Sequence, residues 1–179
     1  MPLNTNLKKV LVIGSSTGYG LASRITAAFG MGAATIGVAF EREASGKRTA
    51  TPGYYNTRAF DDAAKKAGIY AKSFNGDAFT VELKQQVIET IKQDLGKVDL
   101  IVYSLAAPRR TTPDGISHVS VLKTRGSEFT QKNWNLRDNS ISEATIPMAT
   151  EEETAETIKV MGGEDWIDWI DALVEADVV

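Results

Sequence analysis

The chain has 179 residues, 42% hydrophobic and 24% charged, with a net charge of −3, no cysteine and a single histidine. That length suits one domain with a proper core, the charge leaves no basic footprint for nucleic acid, and the missing cysteines exclude disulfides, thiolate catalysis and Cys-ligated metals. His118 alone cannot build a histidine metal site, though carboxylates could still hold magnesium; no apolar run approaches the roughly 20 residues of a membrane span, and residues 1–6 lack the apolar stretch of a signal peptide, so the expected location is the cytoplasm.

Residues 10–13 read as a fully buried strand, followed by a glycine turn and a helix over 19–29. Residues 33–40 are a second apolar, β-branched run, as expected of a parallel strand covered on both faces. A polar loop is predicted over 42–53, then a helix capped by Asn56 and stopped by Gly68 after Ala67. Residues 69–74 form the third predicted strand, ending at the Asn75-Gly76-Asp77 turn. Thr80 is placed to cap a long helix to about Leu95, closed by Gly96. Residues 98–103 are the fourth strand. The alternation of strand and helix implies right-handed crossovers and a parallel sheet.

After Pro108 the periodicity weakens, and 109–150 reads as a long polar excursion holding a small hairpin. Thr150 and Glu153 match a capping box. A helix to about Met161 follows, Gly162 and Gly163 break it, and 164–176 is the last helix, with an apolar stripe of Trp166, Trp169, Ile170 and Leu173 that reads as core. The predicted fold is α/β, a Rossmann-type doubly wound parallel sheet of about four core strands plus C-terminal helices, in a single dinucleotide-binding domain over 1–179 with 151–176 helical.

The chemistry concentrates at the first strand end, residues 10–20, VLVIGSSTGYG. Strand, glycine turn and helix in that order are what a pyrophosphate site needs. Gly14 turns the chain off the strand, Gly18 lets the backbone approach phosphate, and Gly20 lets the helix lie close to the sheet. Glu41, 21 residues beyond Gly20 at the end of the second strand, is placed to accept from a ribose 2′-hydroxyl and to repel a 2′-phosphate, which favours NAD over NADP. Arg42, Lys47 and Arg48 beside it could instead meet a phosphate. Asp77 is either a partner for the adenine amine or a turn-capping aspartate. Leu105 and Ala106 let the backbone pass close to a nicotinamide ribose, or simply end a strand. Arg109 and Arg110 read as a surface pair that could also bind phosphate; Tyr54 and Tyr55 lie in the loop over the cofactor edge, and His118 reads as surface.

Four strings together, 8–22 (KKVLVIGSSTGYGLA), 71–79 (AKSFNGDAF), 102–111 (VYSLAAPRRT) and 160–166 (VMGGEDW), resemble the trans-2-enoyl-CoA reductases, also called V-type enoyl-acyl-carrier-protein reductases. The resemblance runs from about Lys8 to the C-terminus and is weakest over 111–145. It implies an NADH-dependent oxidoreductase of fatty acid synthesis that saturates the 2,3 double bond of an enoyl thioester carried on CoA or acyl carrier protein, hydride going to C3 and a proton to C2. It also implies cofactor contacts at Gly14, Ser15, Ser16, Thr17, Gly18, Tyr19, Phe40, Glu41, Asp77, Ala78, Leu105 and Ala106; all match the family motif except Ser15, where the family more often has Ala.

One departure is large. The family's proton-donating tyrosine and its lysine stand in a Tyr-(x)8-Lys arrangement, and none of Tyr19, Tyr54, Tyr55, Tyr70 or Tyr103 has a lysine nine positions on. The expectation is therefore a fragment, the N-terminal cofactor-binding half, with the catalytic pair beyond Val179 and no turnover by this chain alone. The alternative is a non-catalytic nucleotide-binding or interaction module completed by a partner chain. In a 3-2-1-4 sheet the fourth strand would be an apolar edge, so self-association through that edge or the Trp166/Trp169 face is expected.

Overall fold

The computed structural model describes residues 6–179, so the signal-peptide reading of 1–6 lies, but for Asn6, outside the described residues. The chain forms two compact units, one built from the chain up to Ala106 together with Asp165–Val179, the other from Ala107–Glu164.

In the first unit, β1 (Lys9–Ile13), β2 (Ala34–Ala39), β3 (Ala71–Asn75) and β4 (Leu100–Tyr103) make a parallel sheet in the order β3-β2-β1-β4. Because strand side chains alternate, β1 and β4 each feed two cores. Leu11, Ile13, Ile36 and Val38 point into one core with Val87, Ile91, Trp169, Leu173 and Val178. Val10 and Val12 point into the other with Ala27 and Ala33. Helices on both faces of a parallel sheet make the doubly wound Rossmann-like arrangement expected from the alternation.

Several boundaries differ from the sequence reading for local reasons. Helix α1 (Gly18–Ile25) begins one residue early, at the glycine turn, and widens into a π-helical turn over Thr26–Gly30. Helix α2 (Pro52–Lys66) starts four residues before Asn56, with Thr51 at the cap position and Pro52 in the first turn, where its fixed φ is already helical and its missing N–H costs nothing. Asn56 is thus inside the helix, and its side-chain amide donates to Ser16 O at 3.1 Å. β3 starts at Ala71 rather than residue 69, and β4 at Leu100 rather than 98. Helix α3 (Val81–Thr90) is capped as expected: Thr80 Oγ1 accepts from Leu83 N at 3.3 Å. A π-helical turn over Ile91–Leu95 extends it, and Gly96, at φ +78°, stops it.

The last helix, α5 (Glu164–Glu175), lays its stripe inward: Trp169 and Leu173 have no exposed surface, and Trp169 Nε1 donates to Ala78 O at 3.1 Å. This removes the Trp166/Trp169 face as a surface for self-association, since Trp169 belongs to the unit's own core and Trp166 packs on Tyr103 with ring centroids 5.2 Å apart.

Two buried cations, neither anticipated, tie this unit together. The Arg24 side chain on α1 donates to Ser73 Oγ and to Lys72 O, each at 2.9 Å, and lies 4.2 Å over the Phe60 ring. Burial pulls its guanidinium down to about 10 while Asp61 opposes the shift, so the group stays charged at neutral pH. Lys84 on α3 meets Asp165 at 2.6 Å, and Asp165 also accepts from Tyr103 OH at 2.8 Å.

The second unit holds two antiparallel hairpins where one was expected, β5 (Arg109–Thr111) with β6 (Ser117–Val119) and β7 (Phe129–Asn135) with β8 (Ser140–Ile146), followed by α4 (Glu151–Met161). The capping box at Thr150 and Glu153 is present in both directions. Arg110 corrects the surface-pair reading: it is 4% exposed, donating to Lys159 O at 2.9 Å and to Glu164 Oε2 at 3.1 Å. His118 is half-buried against Glu156 at 3.0 Å, whose carboxyl it holds below the ordinary range through that hydrogen bond.

Candidate functional site

The carboxyl ends of β1 to β4 lie side by side, and the turns leaving them build one site. After Ile13 the chain turns at Gly14, φ +84°, and the amides of Gly14 and Ser15 both donate to Val38 O at 2.9 Å. A Cβ at Gly14 would overlap the Ser104 carbonyl oxygen and come within 2.6 Å of its carbon, so glycine there also lets the β4 exit close over the turn. Ser15 and Ser16 are buried beneath the turn, whereas Thr17, Gly18 and Tyr19 face solvent.

Helix α1 begins here with no side-chain cap: the Thr17 hydroxyl accepts nothing from the first turn. The first amides of a helix have no partner within it, and the helix dipole makes their surroundings positive. Gly18, φ +54°, would meet nothing within 4 Å if it carried a Cβ, so the approach to these amides is open.

Glu41 follows β2 and is held at both backbone ends by Asn75: its N–H donates to Asn75 Oδ1 at 2.7 Å, and its carbonyl accepts from Asn75 Nδ2 at 2.9 Å. Its side chain turns back to the glycine turn, where Oε1 accepts from Ser16 Oγ at 2.6 Å. Oε2 has no protein partner among the described residues. Beside it a cavity of about 140 Å³ opens, bordered by Glu41, Tyr54, Arg58 and Asn75. Arg42, Lys47 and Arg48 stay exposed on the loop before α2. Phe40, 74% exposed, and Tyr19, 88% exposed, are two aromatic rings left in solvent on these turns.

After β3, Gly76 N donates to Ala39 O at 2.8 Å, which draws the Asp77 turn against the end of β2. Asp77 uses one carboxylate oxygen to accept from Phe79 N at 3.0 Å, as a turn aspartate would, and its second oxygen has no partner among the described residues. After β4, Leu105 is half-buried and Ala106 exposed, at the point where Ser104 N donates to Ile13 O at 2.8 Å. The structure thus places at one sheet end all twelve residues that the family resemblance implies. Sequence reasoning missed Asn56, Asn75 and Gly53, which shape the site from α2 and the β3 end; their signal was only their closeness to motifs already read.

The comparisons bear directly on this arrangement. Residues 1–46 match the family model described as the NAD(P)H binding domain of trans-2-enoyl-CoA reductase, and residues 48–179 match the trans-2-enoyl-CoA reductase catalytic region. The chain belongs to the trans-2-enoyl-CoA reductase family. It is 60% identical over 173 residues to an enoyl-[acyl-carrier-protein] reductase [NADH] of Saccharophagus degradans, covering 96% of this chain and 44% of that relative. It is 58% identical, with the same coverage, to a trans-2-enoyl-CoA reductase [NADH] of Ruminiclostridium cellulolyticum. The crystal structure of Treponema denticola trans-2-enoyl-CoA reductase in complex with NAD matches with a TM-score of 0.92 at 54% identity, over 97% of this chain and 44% of that one. The chain therefore spans under half the length of the relatives it matches. No helix among the described residues is long and apolar enough to cross a membrane.

Proposed function

We propose that this chain is the NADH-binding portion of a trans-2-enoyl thioester reductase, and that alone it binds the dinucleotide without turning over substrate. The observation that carries the reading is the pairing of an uncapped, open α1 N-terminus with a Glu41 carboxylate that is fixed through one oxygen and open at the other. The amides of residues 18–20, with Ser15, Ser16 and Thr17 in the preceding turn, suit the pyrophosphate. Glu41 Oε2 suits a ribose 2′-hydroxyl, and a 2′-phosphate there would meet a fixed negative charge. The free oxygen of Asp77, with Ala78 next to it, suits the adenine amine. Leu105 and Ala106 pass the nicotinamide end, and Phe40 and Tyr19 offer apolar walls. When bound, NADH supplies the hydride. The acid that completes an enoyl reduction is not supplied by a Tyr-(x)8-Lys pair in this sequence.

Calorimetric titration of the 179-residue chain with NADH and NADPH tests the binding. NADH is expected to bind more tightly, and Glu41→Ala to weaken NADH by about tenfold or more while erasing the preference, because a charge-assisted hydrogen bond is lost. A crotonyl-CoA assay with NADH should show no turnover. Absence of dinucleotide binding refutes the reading, and turnover by this chain alone refutes its second half.

Among the described residues β4 is bonded within the sheet only to β1, which favours a second reading, completion by another chain along that edge. On this reading the isolated chain self-associates. Sedimentation velocity should show species heavier than 19.4 kDa; a monomer with a cooperative melt goes against it.

A further inference from the structure

Gly53 is the second residue of α2, buried against the glycine turn. Its φ is not in the left-handed region, so glycine is not required there for backbone reasons. What it provides is space. A Cβ at this position would overlap Glu41 Oε1 and come within 2.9 Å of Ser16 Cβ, closer than the 3.0 Å that real Cβ contacts respect. The Glu41 carboxylate therefore occupies the volume that any other residue at position 53 would fill, and Ser16 Oγ pins it there at 2.6 Å.

We propose that Gly53 and Ser16 form the seat of the Glu41 carboxylate, and that this seat, rather than the presence of Glu41 alone, sets the preference for a free ribose 2′-hydroxyl over a 2′-phosphate. This rests on the cofactor reading given above. A glutamate at a strand end has three rotatable bonds, and an unseated carboxylate would spread over many positions in solvent. Seating Oε1 leaves one defined orientation for Oε2, so the hydroxyl of the incoming ribose meets an acceptor already in place. Asn56 strengthens the same junction, since its amide on Ser16 O ties α2 to the turn that carries the seat. Gly53 is a positioning residue: it acts through Glu41.

Gly53→Ala separates this role from a structural one. The Glu41 carboxylate is the far end of a flexible side chain and can leave its seat at small cost, whereas Ser16 Cβ, at 2.9 Å, has only to give slightly. Alanine is favoured over glycine in a helical turn, which offsets that small shift, so the variant should melt close to the parent chain. Titration should then show NADH weakened about tenfold while NADPH moves by less than about threefold, the loss of one charge-assisted bond rather than of the whole site. Combined with Glu41→Ala, the alanine at position 53 should add little further loss, since both changes remove the same contact.

Unchanged affinities for both dinucleotides in Gly53→Ala would overturn the proposal. So would equal losses for NADH and NADPH, which mark general damage to the turn, or losses that add fully in the double variant. Failure of the parent chain to bind either dinucleotide is a different outcome: it overturns the cofactor reading itself, and the seat with it.

Discussion

Replacing Asp165 with alanine is expected to lower the unfolding free energy by about 3–5 kcal/mol and the melting temperature by on the order of 10 °C. Asp165 is 2% exposed and Lys84 5%. Without the carboxylate, the Lys84 ammonium stays in the core facing the Ala78 and Phe79 carbonyls, at 3.1 and 3.2 Å, and the Trp169 ring 5.3 Å away, none of which carries a compensating charge. Tyr103 loses its hydroxyl bond to Asp165 as well. The penalty comes from the stranded charge rather than from the value of the pair. The double variant Lys84→Met with Asp165→Leu should therefore recover most of the loss, because an apolar pair of similar volume needs no charge compensation. Urea unfolding of the single and double variants decides it: a double variant as unstable as Asp165→Ala would mean that the network itself, not the unpaired cation, holds the unit.

The second large effect belongs to the glycine turn. A Cβ at Gly20 would overlap the Gly14 carbonyl oxygen and lie 2.9 Å from its carbon and 3.3 Å from Ser104 Cβ. These are mostly backbone atoms, so nothing flexible can give way, and α1 must lift from β1. Gly20→Ala should cost about 1–3 kcal/mol of stability as overpacking does, and dinucleotide binding should fall below detection as the helix amides move. Gly18→Ala is the contrast. Its Cβ meets no protein atom, so the fold should lose only about 1–2 kcal/mol of left-handed backbone strain, while a bound pyrophosphate would meet the new methyl. A thermal melt and a NADH titration of the two variants separate them. If Gly20→Ala keeps wild-type stability and affinity, the close packing of helix on sheet is not what glycine serves there.

How much of this was legible follows from where the information sits. The four strands and the helices between them were readable because β-branched runs and helical spacing are local, and the Thr80 and Thr150 caps because a cap is written within four residues. The start of α2 differs from the reading because Asn56 is a good capping residue by type, whereas the helix starts on Pro52, whose fixed φ suits the first turn, after a Thr51 that makes no side-chain cap bond. The buried cations were half legible. Arg24 stands three residues after Leu21 and four before Ala28, both on the same packed face, so its inward direction follows from the helical period. Its partners on β3 and α2 do not, and Asp165 lies 81 residues from Lys84. The candidate site residues could be named from the motif and the family resemblance, while the Glu41 seat could not, since Gly53 has no motif and shows its meaning only as an empty volume.

The position of α5 bears on how the chain is made. Trp169, Leu173 and Val178 complete a core whose other members, Leu11 and Ile13 among them, leave the ribosome far earlier. Between them come the residues of the second unit, Ala107–Glu164, all of which must be synthesised before Asp165 can meet Lys84. Until then that face of the sheet is covered by α3 alone, and the Lys84 ammonium waits in it without its carboxylate. The first unit is thus the first to be started and the last to be finished, and the hairpins of the second can close on their own local pairings while it waits.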